Sequence, residues 1–377
     1  MSKQTQSPDF APEKPRKEKK QGSLLGCILR RFFLLLFTTI VLLVAALCLA
    51  ANLVFNGPSV AARDLLAMTL LEPSATKWIP GLFLDEQTVA TIKNGEQVEA
   101  DSSDTVTDIS QVVINKDTSV SAEEWANHPD GIRIEEYAGS NFNSYIMIIR
   151  DPSKVYLATS TEKFSTSIPG TRIDDQIETE GAIAAVNAGA FYDNGKLSDV
   201  VGSVPEGLVV SHGEVKWTTG SPPNGSGFAG FNEDNILVVS KENLTKAQAE
   251  ELNIRDGCCF GPALIINGEV NQEEYEKKPS RNPRTIIGQR ADGAVIFLCI
   301  DGRQPNALGA TNQEATDIML EYGAVNACNM DGGSSTIMLY RDQYGLYGEA
   351  GTVQTISSYS LLQERPRRMP TFWMVAP

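Results

Sequence analysis

The longest apolar run of the chain lies near its N-terminus, at residues 32–55. It contains no charged residue, and as a helix with a rise of about 1.5 Å per residue it exceeds the roughly 30 Å apolar core of a bilayer. The preceding residues 1–31 carry eight Lys/Arg against three Asp/Glu and are rich in Pro, Gln and Ser, a composition typical of a disordered tail. Because the flanking positive charge precedes the run, the pattern predicts a single-pass membrane anchor with a cytoplasmic N-terminus and an extracytoplasmic remainder.

A cleaved signal peptide is the alternative explanation of the same run. Cys48, Leu49 and Ala50 resemble the small-residue pattern of a cleavage site. The apolar run of 24 residues is longer than the core of an ordinary signal peptide, so its length favours the anchor.

Two less regular stretches follow the apolar run. Between residues 56 and 92, the segments A-A-R-D-L-L-A-M-T-L-L-E and L-D-E-Q-T-V-A-T-I predict short amphipathic helices, separated by Pro73 and Pro80. Residues 93–130 are polar and acidic with few large apolar side chains, which predicts a linker.

From Gly131 onward the pattern becomes typical of strands. Apolar runs such as I-R-I-E-E-Y, Y-I-M-I-I and V-Y-L-A-T are bounded by Gly, Asn and Asp-Pro, and residues 209–215 and 265–270 have the pattern of hairpins with glycine turns. Residues 246–252 predict a short helix. Together these elements predict an α+β domain over residues 131–377, with a mixed sheet and a few packed helices, preceded by one transmembrane helix.

A second helix is predicted further along by its end signals. Thr311 and Glu314 have the spacing of a capping box, apolar residues recur at helical spacing over 315–322, and Gly323 suits the position after the last turn. This helix would lead directly into the most informative stretch of the chain, which surrounds Asp331.

That stretch, A-V-N-A-C-N-M-D-G-G-S-S-T-I-M-L-Y, predicts a strand, a sharp turn and a second strand. Gly332 and Gly333 allow positive φ and close backbone approach, so we expect successive N–H groups of the turn to point at one anion. Ser334 and Ser335 add hydroxyl donors, and Asp331 places a carboxylate at the rim. A hairpin whose Asp-Gly turn only reverses the chain is the alternative.

Charge restricts how an anion could be bound. The net charge is −15, and because residues 1–31 contribute +5, the rest of the chain carries −20. A domain this acidic is a poor general partner for nucleic acid or anionic lipid. An anionic substrate must therefore meet local positive charge, and the candidates are Arg284 in the sequence N-P-R-T and Arg303 in D-G-R.

Histidine and cysteine usage excludes several chemistries. The chain has two histidines, His128 and His212, neither in a motif, which makes a Ser-His-Asp triad or a His-rich zinc site improbable. Cys299 and Cys328 lie in apolar runs and are expected to be buried thiols. The adjacent Cys258 and Cys259 lack zinc-type spacing, and a disulfide from one of them to Cys299 or Cys328 stays open.

Five motifs, taken in order, resemble the phosphodiester glycosidase family. They cover roughly the last two-thirds of the chain, from about Tyr137, and the last is the most specific, although Ser334 stands where the family often has a third glycine. The motifs are N-A-G-A-F-Y from Asn187, F-G-P from Phe260, P-R-T-I-I-G from Pro283, D-G-R from Asp301 and N-A-C-N-M-D-G-G-S-S from Asn326.

The resemblance implies a hydrolase that cleaves the glycosidic C–O bond of sugar 1-phosphodiesters without a cofactor. Since bacterial members are associated with exopolysaccharide, cell-wall or exopolysaccharide glycans are the expected substrates. Asp331 is the first candidate for the catalytic carboxylate, as nucleophile or base, with Asp301 second and Glu314 third. The expected substrate-binding residues are Arg284, Arg303, Asn187, Asn329, Gly332, Gly333, Ser334 and Ser335.

Two other functions remain open at this point. One is a metal-dependent phosphodiesterase that cuts the P–O bond, with Asp301, Asn329 and Asp331 as oxygen ligands for Ca²⁺ or Mg²⁺. The other is a non-catalytic glycan-binding module at the cell surface, against which the presence of both aspartates and Arg284 argues.

Overall fold

The computed structural model describes residues 24–71, 76–94, 105–112, 125–192, 202–219, 227–277, 280–304, 306–357 and 365–377. The chain divides into an N-terminal unit that ends at Val54 and a second unit, Phe55–Pro377. The helices of the described residues are α1 (Leu24–Phe55), α2 (Val60–Leu71), α3 (Glu86–Asn94), α4 (Ile173–Glu180), α5 (Lys246–Glu251), α6 (Gln272–Glu276) and α7 (Asn312–Glu321).

Helix α1 contains the apolar run identified in the sequence. Its segment Ile28–Phe55 is long and apolar enough to cross a membrane, a criterion of length and composition that a signal sequence also meets. The helix begins at Leu24, eight residues before the predicted start, because leucine and arginine in residues 24–31 are good helix formers. The rest of the predicted tail, residues 1–23, lies outside the described residues.

The second unit contains the strands, which lie between residues 132 and 375. They are β1 (Ile132–Ala138), β2 (Asn143–Ile149), β3 (Val155–Thr159), β4 (Thr171–Arg172), β5 (Ala184–Asn187), β6 (Leu208–Ser211), β7 (Glu214–Thr218), β8 (Phe228–Asn232), β9 (Leu237–Ser240), β10 (Ile254–Cys259), β11 (Ala263–Ile266), β12 (Glu269–Val270), β13 (Arg284–Arg290), β14 (Val295–Ile300), β15 (Ala324–Met330), β16 (Met338–Asp342), β17 (Thr352–Thr355), β18 (Arg368–Met369) and β19 (Thr371–Val375).

These strands form three large sheets and one small one. The central sheet has the order β1-β2-β14-β13-β15-β11-β12, and the five-stranded sheets have the orders β7-β6-β10-β8-β9 and β17-β16-β5-β19-β3. The remaining sheet pairs β18 with β4. The predicted α+β class is confirmed, with several sheets where one mixed sheet was expected; the pairings between described strands are antiparallel.

Side-chain alternation in the central sheet buries both of its faces. In β14, Val295, Phe297 and Cys299 belong to a large apolar cluster to which all three large sheets contribute. The intervening Ile296 and Leu298 belong to a second cluster, which contains the apolar residues of α7. Because successive residues of a strand point to opposite faces, covering both faces requires the continuous apolar run seen in the sequence.

The region before the first strand packs on this unit where it is described. Helices α2 and α3 contact each other, and the Arg281 N–H donates to Thr69 Oγ1 of α2 over 3.4 Å. We expected residues 105–112 and 125–130 to form part of a linker, but they pack on the domain. The Thr107 N–H donates to Val239 O over 2.9 Å, and Trp125 belongs to the second apolar cluster, which contains the apolar residues of α7. Apolar anchors in a polar sequence are enough to fix such segments.

Candidate active site

Three neighbouring strands bring the candidate residues to one end of the central sheet. Arg284 pairs with Ile300 of β14, and Thr285 pairs with Met330 of β15. Since β13 is antiparallel to both neighbours, its first residue lies beside the last residues of β14 and β15. Asp301 and Asp331 therefore follow strands separated by two strand spacings, about 10 Å.

Pro283, at the entrance to β13, lies between two Asp-Gly pairs. A Cβ atom on Gly302 would come within 2.7 Å of Pro283 N, and one on Gly332 within 2.7 Å of Pro283 O. Both contacts are with backbone atoms and are too short for a side chain. Glycine after each aspartate thus lets the ends of β14 and β15 close around Pro283.

The turn after Asp331 differs from the expected cradle of amides. The Gly333 N–H donates to Pro283 O (2.9 Å), the Ser335 N–H to Gly332 O (3.1 Å) and the Thr336 N–H to Gly333 O (3.4 Å). These three donors point at protein carbonyls, so the prediction of successive amides directed at one anion is wrong for them. Sequence pattern signals a tight turn but does not show which acceptor each amide meets.

Arg303 supplies positive charge to this turn. Its backbone is left-handed, with φ of 57°, and its Nη2 donates to Asn282 Oδ1 over 2.9 Å. The guanidinium lies directly against Gly333, where an added Cβ would be 2.9 Å from Nη1. A side chain at position 333 would therefore clash with the Arg303 guanidinium. The φ of 64° is a second reason why this position requires glycine.

Arg367, which the sequence analysis did not select, reaches the same turn from the C-terminal segment. Its Nη1 donates to Ser334 Oγ (3.1 Å) and Ser335 Oγ (3.5 Å). Its Cζ lies 4.8 Å from the centre of the Phe191 ring. The available signal was the R-P-R-R run before the last apolar strand of an acidic domain.

Asp301 is buried and has a tyrosine partner that sequence analysis also missed. The Tyr145 phenol lies close to its carboxylate, and the Asp301 N–H donates to Asn143 O over 2.9 Å. Burial and then the charge of Asp301 raise the pKa of Tyr145 to about 12. Tyr145 thus stays protonated at neutral pH beside the carboxylate.

Asp331 is half-buried and held through its backbone. Its N–H donates to Ala188 O over 2.9 Å, and its carbonyl accepts from Asn187 Nδ2. Asn187 is fully buried, and its Oδ1 accepts from Thr285 Oγ1 over 2.7 Å. Asn187, the last residue of β5, therefore links the β17-β16-β5-β19-β3 sheet to the start of the turn after Asp331.

Three other predicted residues make structural contacts behind the turn. Arg284 is 8% exposed and donates from Nε to Ala310 O (2.7 Å) and from Nη2 to Ser280 O (3.0 Å). Asn329 is buried, and its N–H and Nδ2 donate to Pro262 O over 3.1 and 3.4 Å. The third residue is Glu314.

Glu314 forms the predicted capping box at the start of α7, which is confirmed. Its Oε2 accepts from the Thr311 N–H over 2.9 Å, and its own N–H donates to Thr311 Oγ1 over 3.1 Å. Both carboxylate oxygens also accept from Arg281, over 2.8 and 2.9 Å. This bidentate pair fixes the start of α7 beside the segment that leads into β13.

A model of the phosphodiester glycosidase family matches residues 180–376, just over half of the chain. The chain belongs to the phosphodiester glycosidase family. The resemblance inferred from the five motifs is thereby confirmed. Strands β1, β2 and β3 precede the matched residues, yet β2 pairs with β14 and β3 with β19, so the folded unit of this family member extends upstream of the match.

Two relatives illustrate its similarities. The catalytic domain of zebrafish N-acetylglucosamine-1-phosphodiester alpha-N-acetylglucosaminidase, auto-inhibited by its pro-peptide, has a TM-score of 0.51 and 16% identity, covering 67% of this chain and 85% of that one. An uncharacterised SPbeta prophage-derived protein, YomE of Bacillus subtilis strain 168, is 21% identical over 197 residues, or 52% of this chain and 28% of YomE. The chain thus matches under a third of that relative's length.

Four cysteines of the second unit lie in strands β10, β14 and β15. Cys258, Cys259, Cys299 and Cys328 are buried free thiols, so the disulfide left open by the sequence is absent among these four. Burial raises the pKa of Cys299 to about 12 and that of Cys259 to about 11. Within the described parts of the chain, no group of three or more His, Cys, Asp or Glu side chains is arranged to hold a metal ion.

Proposed function

We propose that this phosphodiester glycosidase hydrolyses the glycosidic C–O bond of a sugar 1-phosphodiester, releasing free sugar and a phosphate monoester. One arrangement carries the proposal. Asp301 and Asp331 follow strands on either side of β13, and the Arg303 guanidinium contacts the turn that begins after Asp331. Carboxylates and a cation thus converge at one end of the sheet.

The chemistry of the leaving group explains why this set suits C–O cleavage. An ordinary glycoside expels a poor alkoxide, so its hydrolases generally need a carboxylic acid of raised pKa to protonate it. A sugar 1-phosphodiester expels a phosphate monoester, which is already a stable anion. Fixed positive charge where the leaving oxygen gains electrons therefore matters more than a proton donor, and a guanidinium supplies it.

Because the guanidinium stabilises the leaving phosphate, the carboxylates act on C1 or on the attacking water. Asp331 attacks C1 directly or removes a proton from the attacking water, and Asp301, which lies beside Tyr145, is the second candidate for these roles. Glu314 stays the third candidate with weaker support, because both of its carboxylate oxygens bind Arg281. As C1 gains its new bond to oxygen, the electrons of the broken C1–O bond pass to the phosphate beside Arg303.

Among the substrate-binding candidates, Arg303, Ser334 and Ser335 are the ones we propose to contact the phosphodiester. Arg284, Asn187 and Asn329 act by holding the loops on which these residues depend, a role supported by their contacts with backbone carbonyls. Gly332 and Gly333 act by allowing the close approach of Pro283 and Arg303.

We further propose that α1 anchors the domain on the outer side of the membrane, where glycans of cell-wall or exopolysaccharide type are the available substrates. The support is the basic segment before the apolar run. External protease on intact cells should release the domain while an N-terminal epitope survives. Recovery of a soluble secreted domain that lacks α1 would instead support a cleaved signal sequence.

The decisive test is the position of bond cleavage. In ¹⁸O-labelled water, a panel of sugar 1-phosphodiesters should yield label in the sugar and none in the phosphate monoester. Label in the phosphate would mean attack at phosphorus and would overturn the proposal in favour of a phosphodiesterase. Turnover that is unchanged by a chelator would separately argue against Ca²⁺ or Mg²⁺ at Asp301, Asn329 and Asp331.

A further inference from the structure

The three arginines of the C-terminal R-P-R-R run contact different parts of the protein. Arg365 pairs with Asp174 and Asp175 of α4 over 2.7 Å at the protein surface. Arg368 donates to Gly170 O over 3.0 Å. Arg367 contacts Ser334 and Ser335 in the turn after Asp331, so one short segment contains a site-facing arginine and a surface arginine that can serve as its control.

Two kinds of contact fix the Arg367 side chain. The guanidinium Cζ lies over the Phe191 ring, 4.8 Å from its centre, where a cation is attracted by the aromatic face. The Nη1 group donates to Ser334 Oγ and Ser335 Oγ, over 3.1 and 3.5 Å. A planar fork held on an aromatic ring is pre-organised, which reduces the entropy lost when it binds an oxyanion.

The serines complete a donor set suited to phosphate. A hydroxyl has one proton and two lone pairs, so a hydroxyl that accepts from Arg367 directs its own proton elsewhere as a donor. Arg303 contacts the adjacent Gly333 of the same turn. Two guanidinium groups and two hydroxyls thus meet on three consecutive residues of a domain that is otherwise strongly acidic, and arginine forks match phosphate oxygens in geometry and charge.

Building on the proposed function, we propose that Arg367, stacked on Phe191, binds the phosphate group of the substrate and of the monoester product, together with Ser334, Ser335 and Arg303. Arg367 is a binding residue in this arrangement: it takes no proton and forms no covalent bond. This assigns a role to Phe191 of the N-A-G-A-F-Y motif: its ring holds the Arg367 guanidinium in position to bind phosphate.

The test measures phosphate binding separately from hydrolysis. Inorganic phosphate is titrated by calorimetry into the full-length protein in detergent, for the wild type and for Arg367→Gln, Arg367→Lys, Phe191→Leu and the control Arg365→Gln. Loss of a charge-assisted contact should weaken phosphate binding by about tenfold or more in Arg367→Gln. The lysine and leucine variants should lie between it and the wild type, and Arg365→Gln should match the wild type.

Wild-type affinity for phosphate in Arg367→Gln, or absence of saturable binding in the wild type, would overturn the proposal. If Arg367→Gln fails to fold, Arg367→Lys decides, because it keeps the charge and loses the fork: wild-type affinity in that variant would overturn the role of the fork. Phosphate binding that depends on Arg367 without diester hydrolysis would refute the proposed function alone. Hydrolysis by a wild type whose phosphate affinity is independent of Arg367 would refute this inference alone.

Discussion

The contact between Gly333 and Arg303 gives the sharpest test of the site, through the substitution Gly333→Ala. Its backbone has φ of 64°, a region that costs an L-residue about 1–2 kcal/mol. The new Cβ would also stand 2.9 Å from Nη1, 3.1 Å from Nη2 and 3.2 Å from Cζ of Arg303. These atoms belong to the end of a flexible side chain, so the guanidinium should move away at little cost to folding.

Gly181 provides a matched control for the backbone strain alone. It has φ of 66°, and a Cβ added there meets nothing within 4 Å. Gly181→Ala and Gly333→Ala should therefore lose similar free energy of unfolding. Only Gly333→Ala should displace a guanidinium from the turn. A hydrogen bond to a charged group is worth about 1.5–3 kcal/mol, so its loss should lower kcat/KM by about 10- to 100-fold.

The assay combines urea unfolding with kcat/KM for release of phosphate monoester from a sugar 1-phosphodiester, on the full-length protein in detergent. Equal stability losses with an activity loss confined to Gly333→Ala would support the role of Arg303. Retained activity in Gly333→Ala would refute it, because the cation could then leave the turn without effect. Equal activity losses in both variants would assign the effect to stability.

Three further substitutions test other parts of the site and its support. Asp331→Asn should lower kcat by about 10² or more, measured with the same substrate; normal kcat would remove Asp331 from the chemistry. Tyr145→Phe removes the hydroxyl beside the Asp301 carboxylate and should lower kcat/KM, because Asp301 is the second candidate for the chemistry; unchanged kcat/KM would mean that this hydroxyl has no role at the site. Tyr340→Phe removes a 2.6 Å hydrogen bond to Asp130 and should cost about 1.5–3 kcal/mol in urea unfolding. Burial and that bond raise the Tyr340 pKa, so its stabilisation is complete below the unfolded value near 10 and declines at higher pH; a constant difference between wild type and variant up to pH 11 would contradict this.

The sequence predicted local structure well where one signal sufficed. Alternation and turn residues located the hairpins at 209–215 and 265–270, which the structure contains as β6–β7 and β11–β12. The capping box at Thr311 and Glu314 defined the start of α7. These features depend on residues within a few positions of each other, so their cause is present in the local sequence.

The composition of the site was less accessible, because it depends on contacts across the chain. Arg367 lies 33 residues from Ser334 in sequence, and no local pattern indicates that its guanidinium meets that hydroxyl. Arg284 lay in a suggestive motif, yet its guanidinium donates to Ala310 O, a contact made possible by a loop 26 residues away. Motif and proximity in sequence favoured Arg284, whereas the structure places its buried guanidinium on backbone carbonyls and places Arg367 at the serine hydroxyls.

The contacts of the glycines also could not be predicted from the local sequence, and they explain how the site is assembled. A D-G-G-S-S sequence fits an amide cradle and an arginine-flanked turn equally well, because both need a backbone without side chains. Here Gly302 and Gly332 both face Pro283, and Gly333 faces Arg303. Packing two strand ends around Pro283 fixes the spacing of Asp301 and Asp331. The absence of a side chain at Gly333 leaves space for the Arg303 guanidinium. The domain can therefore stay strongly acidic overall while carrying positive charge at this turn. The phosphodiester recognition that we propose depends on short-range contacts at the strand ends and not on the net charge of the protein.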